Sequence, residues 1–160
     1  MSSRPAGRRT PREALYRIEI RPSAVHGLGA FATGRLVKGD LVGDYEGRRY
    51  SKTCPRPDWD GLNTYLFALS DGTFIDGSDG GNATRHINHS CNPNVIAMEQ
   101  PSCNGDLSVR IYAVEELDPG QELFLDYSLD VAGEDESCYP CHCGQQNCRG
   151  TLAGRSNESS

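Results

Sequence analysis

No run in this chain of 160 residues approaches the roughly 20 consecutive apolar residues that a bilayer-spanning helix needs. The first residues, MSSRPAGRRTPRE, carry charge but no apolar core, so they do not read as a secretory signal. These two absences predict an intracellular, soluble protein with no membrane partner, and therefore reduced cysteines. There is no internal repeat. Between Arg110 and Arg149 there is neither Lys nor Arg, while Glu115, Glu116, Asp118, Glu122, Asp126, Asp130, Glu134, Asp135 and Glu136 are acidic. With a formal net charge of −6, direct nucleic-acid binding is not expected, because phosphates need a basic surface. The acidic stretch is either a solvated face or a field that draws in a basic partner.

The hydrophobic fraction is 36% and there are 18 glycines, which predicts short strands and many turns rather than a helical bundle. Apolar runs fall at Tyr16–Ile20, Gly29–Ala32, Leu41–Tyr45, Tyr65–Leu69, Phe74–Asp76, Val95–Met98, Val109–Ala113 and Leu123–Tyr127. Turn signals separate them at Lys38-Gly39-Asp40, Asp71-Gly72, Asp79-Gly80-Gly81, Asn104-Gly105-Asp106 and Asp118-Pro119-Gly120. A short helix is expected within Ser78–Asn88, limited by Gly80 and Gly81. The fold class is mainly β, with several small sheets in one domain. The expected divisions are a basic flexible tail over 1–13, the β-rich domain over 14–131, a cysteine module over 132–153 and a polar tail over 154–160.

Two stretches carry chemistry. "RHINHSCNPN" (Arg85–Asn94) packs amides, imidazoles, a thiol and a proline directly after a strand-like run, although Asn and Pro are poor strand and helix formers. Such a conflict between local preference and a compact fold marks a functional or strained site. "CHCGQQNC" places Cys141, Cys143 and Cys148 within eight residues, with Gly144 to turn the chain. Structural zinc takes four tetrahedral ligands and favours thiolates. Three are present here. Cys91 is the expected fourth, with Cys138 and His142 as rivals; His142 would have to point inward between two ligand thiolates. Cys54 and Cys103 read as ordinary thiols. In "HGLGAFA" (His26–Ala32), Gly27 and Gly29 suit either a turn or a close approach of backbone to a ligand. With no third Gly and no following helix, the segment is not a dinucleotide fingerprint.

In order and spacing, "HGLGAFA", "DYEG" (Asp44–Gly47), "YLFALSDGTFIDGSDGGNATRHINHSCNPN", "GQELFLDYS" and "YPCHCGQQNCRGT" closely resemble the SET domain of protein-lysine methyltransferases with its post-SET segment. The resemblance covers about residues 15 to 152. It implies a SET fold of small β-sheets with a knot-like C-terminal threading and a zinc-bound post-SET module. It also implies S-adenosylmethionine as cofactor, over Gly27, Leu28 and Gly29, with Arg85, Asn88 and His89 holding it and bracing the site. One structural zinc ion would sit on Cys91, Cys141, Cys143 and Cys148. Tyr127 would shape the methyl-transfer pore and Tyr65 the lysine channel.

The implied activity is transfer of methyl to lysine in a basic protein, whether histone-like, DNA-packaging or ribosomal. The alternative is a non-catalytic module that holds basic peptides. Leu125, two residues before Tyr127, stands where relatives often carry Phe or Tyr; Leu removes a phenol hydroxyl and its bound water from the pore, which predicts higher methylation states. The insert between Tyr50 and Tyr65 is short, and no cysteine-rich segment precedes Ala14. This minimal layout is similar to small stand-alone members of the family, including bacterial ones; a bacterial source would make it cytoplasmic, and a monomer is expected.

Overall fold

The computed structural model describes residues 17–53, 65–128 and 135–154. The expectations for Tyr16, Cys54, both tails and most of the insert before Tyr65 fall outside them. Ten strands form four small sheets. β1 (Ile18–Pro22) pairs antiparallel with β2 (Leu28–Ala32). β3 (Leu41–Tyr45), β9 (Leu107–Ala113) and β8 (Val95–Pro101) make a second sheet in that order. β4 (Arg48–Tyr50), β6 (Phe74–Asp76) and β5 (Leu66–Ala68) make a third. The fourth is a two-residue parallel pairing of β7 (Asn88–His89) with β10 (Phe124–Leu125).

Alternation drives the central sheet. In β9, Val109, Ile111 and Ala113 are buried while Arg110 between them is exposed, the period of two that a half-buried strand requires. Val42, Val95, Leu36, Leu117 and Leu123 complete a core in which each is at most 2% exposed. Burying a side chain of this size contributes about 1.5–3 kcal/mol. A β-bulge between Leu41 and Gly43 resets the register so that Gly43 opposes Ile111 and Tyr45 opposes Val109. Directly opposed residues share a face, so the bulge turns Tyr45 inward.

The five turn signals all coincide with turns. The helix expected within Ser78–Asn88 is instead one 3-10 turn, Ala83–His86, capped by the Asn82 side chain, which accepts from the Thr84 N–H. Two strands lacked an apolar signal. β4 is mostly exposed and is held by pairing with β6, and β7 is made of two polar residues. The Leu123–Tyr127 run contributes only Phe124–Leu125 as strand.

The segment that follows β7 wraps β10. The Ser90 N–H donates to the Leu125 carbonyl and the Asn94 N–H to the Phe124 carbonyl, each at 3.1 Å. The Asn94 side chain closes the same contact, donating to the Glu122 carbonyl at 2.8 Å and accepting from the Phe124 N–H at 2.8 Å. Polar residues therefore sit buried here because each one replaces a missing ladder bond. Among the described residues no helix is long and apolar enough to cross a membrane.

Candidate active site

The β1–β2 turn, β7, the end of β10 and the C-terminal cysteine segment converge on one cavity of about 370 Å³. That size falls within the roughly 300–1,000 Å³ typical of small-molecule sites. Gly27, Leu28, Tyr65, Arg85, Asn88, His89 and Tyr127 all line it, whereas Gly29, expected with them, does not. Cys138 to Cys143 form the opposite wall.

Asn88 fixes the glycine turn. Its Nδ2 lies 3.1 Å from each of three acceptors, the His26 carbonyl, the Leu28 carbonyl and Glu122 Oε1. Rotating the amide would set its oxygen against three oxygens, so its orientation is determined and no described group donates to Oδ1. Gly27 takes a positive φ of 45°, a conformation that glycine adopts without penalty. Gly29 serves a different need. A Cβ there would collide with Glu122 Oε1, so the missing side chain makes room for the carboxylate that Asn88 touches.

Tyr127 is held at both ends. Its hydroxyl donates to the Ile87 carbonyl at 2.7 Å, and its backbone N–H donates to His89 Nδ1 at 3.0 Å. The imidazole, packed edge-on at 5.3 Å from the phenol ring, is thus the tautomer with its proton on Nε2. That nitrogen lies 3.5 Å from Cys91 Sγ. Burial lowers the His89 pKa, which keeps the ring neutral and suits an N–H to sulfur contact. His89 therefore braces Tyr127 and Cys91 through both ring nitrogens.

Arg85 lines the cavity but spends its donors locally. Its Nη1 reaches the Gly77 carbonyl at 3.3 Å and its Nε reaches His86 Nε2 at 3.2 Å, while the guanidinium lies 5.9 Å from the Tyr65 ring centre. Tyr45 is a residue the sequence motif contained without a role. It is buried and donates to the Tyr65 carbonyl at 2.5 Å. Burial first, then the nearby Tyr127 phenol, push its pKa well above the usual range, so it remains a hydrogen-bond donor. Leu125 is buried in β10 rather than exposed on the cavity wall.

The sulfur atoms of Cys91, Cys141, Cys143 and Cys148 all lie within 4.8 Å of one another, and Cys91 and Cys141 are 3.8 Å apart. Tetrahedral zinc with Zn–S near 2.3 Å requires sulfur separations of roughly 3.8 Å, so the four residues fit that ion. Backbone N–H groups of Arg149 and Gly150 point at the sulfurs of Cys91 and Cys148, at 3.3 and 3.4 Å. Burial raises the thiol pKa of Cys91 and Cys141. At Cys143 burial is outweighed by backbone N–H groups of Cys91 and Gln145 and by the neighbouring thiols, which bring it down to about 6. Cys138 is exposed and outside the cluster, as is Cys103.

A bidentate ion pair ties this module to the strand that ends at Tyr127. Arg149 Nη1 and Nη2 each lie 2.9 Å from an oxygen of Asp126. Against the upward push of burial, hydrogen bonds from Arg149 and Ser128 hold the Asp126 carboxyl below the ordinary range. Sequence reasoning missed this latch, because Asp126 and Arg149 each look like ordinary surface charges until the chain folds.

Known proteins share this architecture. A profile of the SET domain matches residues 27–128. A histone-lysine N-methyltransferase, H3 lysine-36 specific, from Aspergillus oryzae is 29% identical over 92% of the chain, which spans 16% of that relative. Histone-lysine N-methyltransferase 2B from Homo sapiens is 35% identical over 89% of the chain, which spans only 5% of it. The crystal structure of KRYPTONITE in complex with mCHG DNA and SAH superposes with a TM-score of 0.71 at 28% identity, covering 86% of this chain and 29% of that one. The profile takes in the glycine turn, the Asn88–His89 strand and Tyr127 in a single span, and on that ground this chain belongs to the SET domain family.

Proposed function

We propose that the protein is an S-adenosylmethionine-dependent protein-lysine N-methyltransferase acting on a basic protein. The layout we assign is a SET unit over 14–131 followed by a post-SET zinc module over 132–153, in an intracellular protein. The observation that carries the reading is the setting of Tyr127. Its hydroxyl donates to the Ile87 carbonyl, which fixes the phenol oxygen at the cavity wall, where an entering donor can meet it. An amine N–H is such a donor, and accepting from it aims the nitrogen's own lone pair.

S-adenosylmethionine, when bound, supplies a methyl group activated on a cationic sulfonium. Gly27, Leu28 and Gly29 would present backbone groups to it, with Asn88 Oδ1 as a fixed acceptor and Arg85 and His89 bracing the wall. The amine nitrogen held at Tyr127 would receive that methyl group, and the neutral sulfide that leaves would keep the electron pair of the methyl–sulfur bond. A methyl group offers no oxygen for a metal or oxyanion hole to polarise, so alignment supplies most of the rate. The amine must first be neutral, although a free lysine has a pKa of about 10.4. Tyr65 and Tyr127 put aromatic surface on the cavity wall, and burying the amine against it beside a cationic sulfonium would disfavour the ammonium and release its proton to solvent. The zinc would be structural, since four thiolates leave no open position.

The acidic residues Glu115, Glu116 and Asp118 are exposed and suit a basic substrate such as a histone-like, DNA-packaging or ribosomal protein. The decisive experiment offers labelled S-adenosylmethionine with histones and with a mixture of basic proteins. Label on lysine is expected. Cofactor binding with no transfer to any protein would replace this reading with a non-catalytic peptide-binding module. Leu125 lies behind the cavity wall, two residues before Tyr127, so an influence on the product would have to act from there. We expect Leu125→Tyr to shift the product toward fewer methyl groups, read as the mass of the modified lysine, whereas an unchanged distribution would remove Leu125 from control of the product.

A further inference from the structure

Among the described residues lining the cavity there is no carboxylate, while Arg85 is cationic and the remaining groups are neutral or titratable imidazoles and thiols. Two carboxylates approach the Asn88–His89 strand from behind that wall. Asp126 lies 3.8 Å from His89 Nδ1, but Arg149 grips both its oxygens, so its charge is locally cancelled. Glu122 is different. It is half-buried, its Oε1 lies 3.1 Å from Asn88 Nδ2, and no described Lys, Arg or His pairs with it. Gly29 keeps the space that lets it approach so closely. One amide group therefore separates an unpaired negative charge from the cavity, in surroundings that screen charge less than water does.

We infer that Glu122 selects the ligand by charge, making the cavity hold the cationic sulfonium cofactor in preference to the neutral sulfide left after transfer. The inference rests on the methyltransferase reading and adds to it a reason for the product to leave. The two molecules have nearly the same shape and differ by one methyl group and one positive charge. Contacts that read shape therefore hold both alike. A fixed charge near the sulfur separates them, and Glu122 is the carboxylate that touches the Asn88 amide with no described Lys, Arg or His paired to it. Asn88 serves as the spacer: its amide is fixed by two carbonyls as well, so its position does not depend on the charge of Glu122.

The test is calorimetric titration of the zinc-loaded full chain with S-adenosylmethionine and with S-adenosylhomocysteine. Glu122→Gln keeps the shape and an acceptor for Asn88 but removes the charge. It is expected to weaken S-adenosylmethionine binding about threefold to tenfold, a single screened charge interaction, and to leave the sulfide's affinity unchanged. A purely structural role would weaken both ligands together, and that result, like no change in either, overturns the inference. Should the Gln variant not fold, the wild-type chain still decides. An analogue carrying an ammonium in place of the sulfonium must bind more tightly than the sulfide, and equal affinities overturn the inference. A wild-type chain that binds none of these ligands would instead overturn the methyltransferase reading itself.

Discussion

Tyr127→Phe is expected to cut methyl transfer by about a hundredfold or more, the scale of loss that follows when a reacting group is misaligned by an ångström or so. The phenol ring remains to pack against His89, and the backbone N–H to His89 bond is untouched, so cofactor affinity should change little. What disappears is the acceptor that aims the amine. Stability should fall by about 1 kcal/mol, the typical net value of one hydrogen bond, because the buried Ile87 carbonyl loses its donor. Single-turnover transfer measured beside cofactor titration separates these effects. Wild-type turnover in the Phe variant would exclude Tyr127 from the reaction, and loss of cofactor binding would make its role structural.

The second large effect concerns the metal. Cys91→Ala should release zinc, with affinity falling by more than the roughly 10–100-fold that loss of a supporting residue outside the ligand set costs. Cys138→Ala should retain one zinc per chain, because Cys138 lies outside the cluster. Cys138 to Cys143 form one wall of the cavity, so the zinc-free chain should also lose cofactor affinity and turnover. Zinc content after dialysis, read by elemental mass spectrometry, checks the assignment. Zinc kept by the Cys91 variant but lost from the Cys138 variant would sink it. His89 makes the consequence reach further, since its ring touches Cys91 on one side and Tyr127 on the other.

What could be read from the sequence follows from which interactions are local. The strands of the central sheet were legible because Val109, Ile111 and Ala113 alternate with polar neighbours, a pattern written into consecutive residues. Cys141, Cys143 and Cys148 were legible as a cluster because ligand spacing is also local. β7 was not, since Asn88 and His89 are poor strand formers whose extended shape is imposed by a partner strand remote in sequence. Glu122 lay within an acidic stretch and was indistinguishable from its solvated neighbours until Gly29 and Asn88 closed on it. Tyr45 needed the bulge in β3 to turn it inward, and a bulge leaves no mark in composition.

The parallel pairing of β7 with β10 also governs the order of events as the chain is made. Asn88 and His89 cannot acquire their strand partners until Phe124 and Leu125 have emerged, and Cys91 must wait for Cys141 to Cys148. Such late, long-range closure is slow and leaves segments uncovered in the meantime. An apolar strand left waiting there would invite pairing with another molecule. The Asn, His, Ser and Pro content of Arg85–Asn94 makes that pairing unfavourable. The composition that suits the finished site thus also protects the nascent chain from aggregation before its partners arrive.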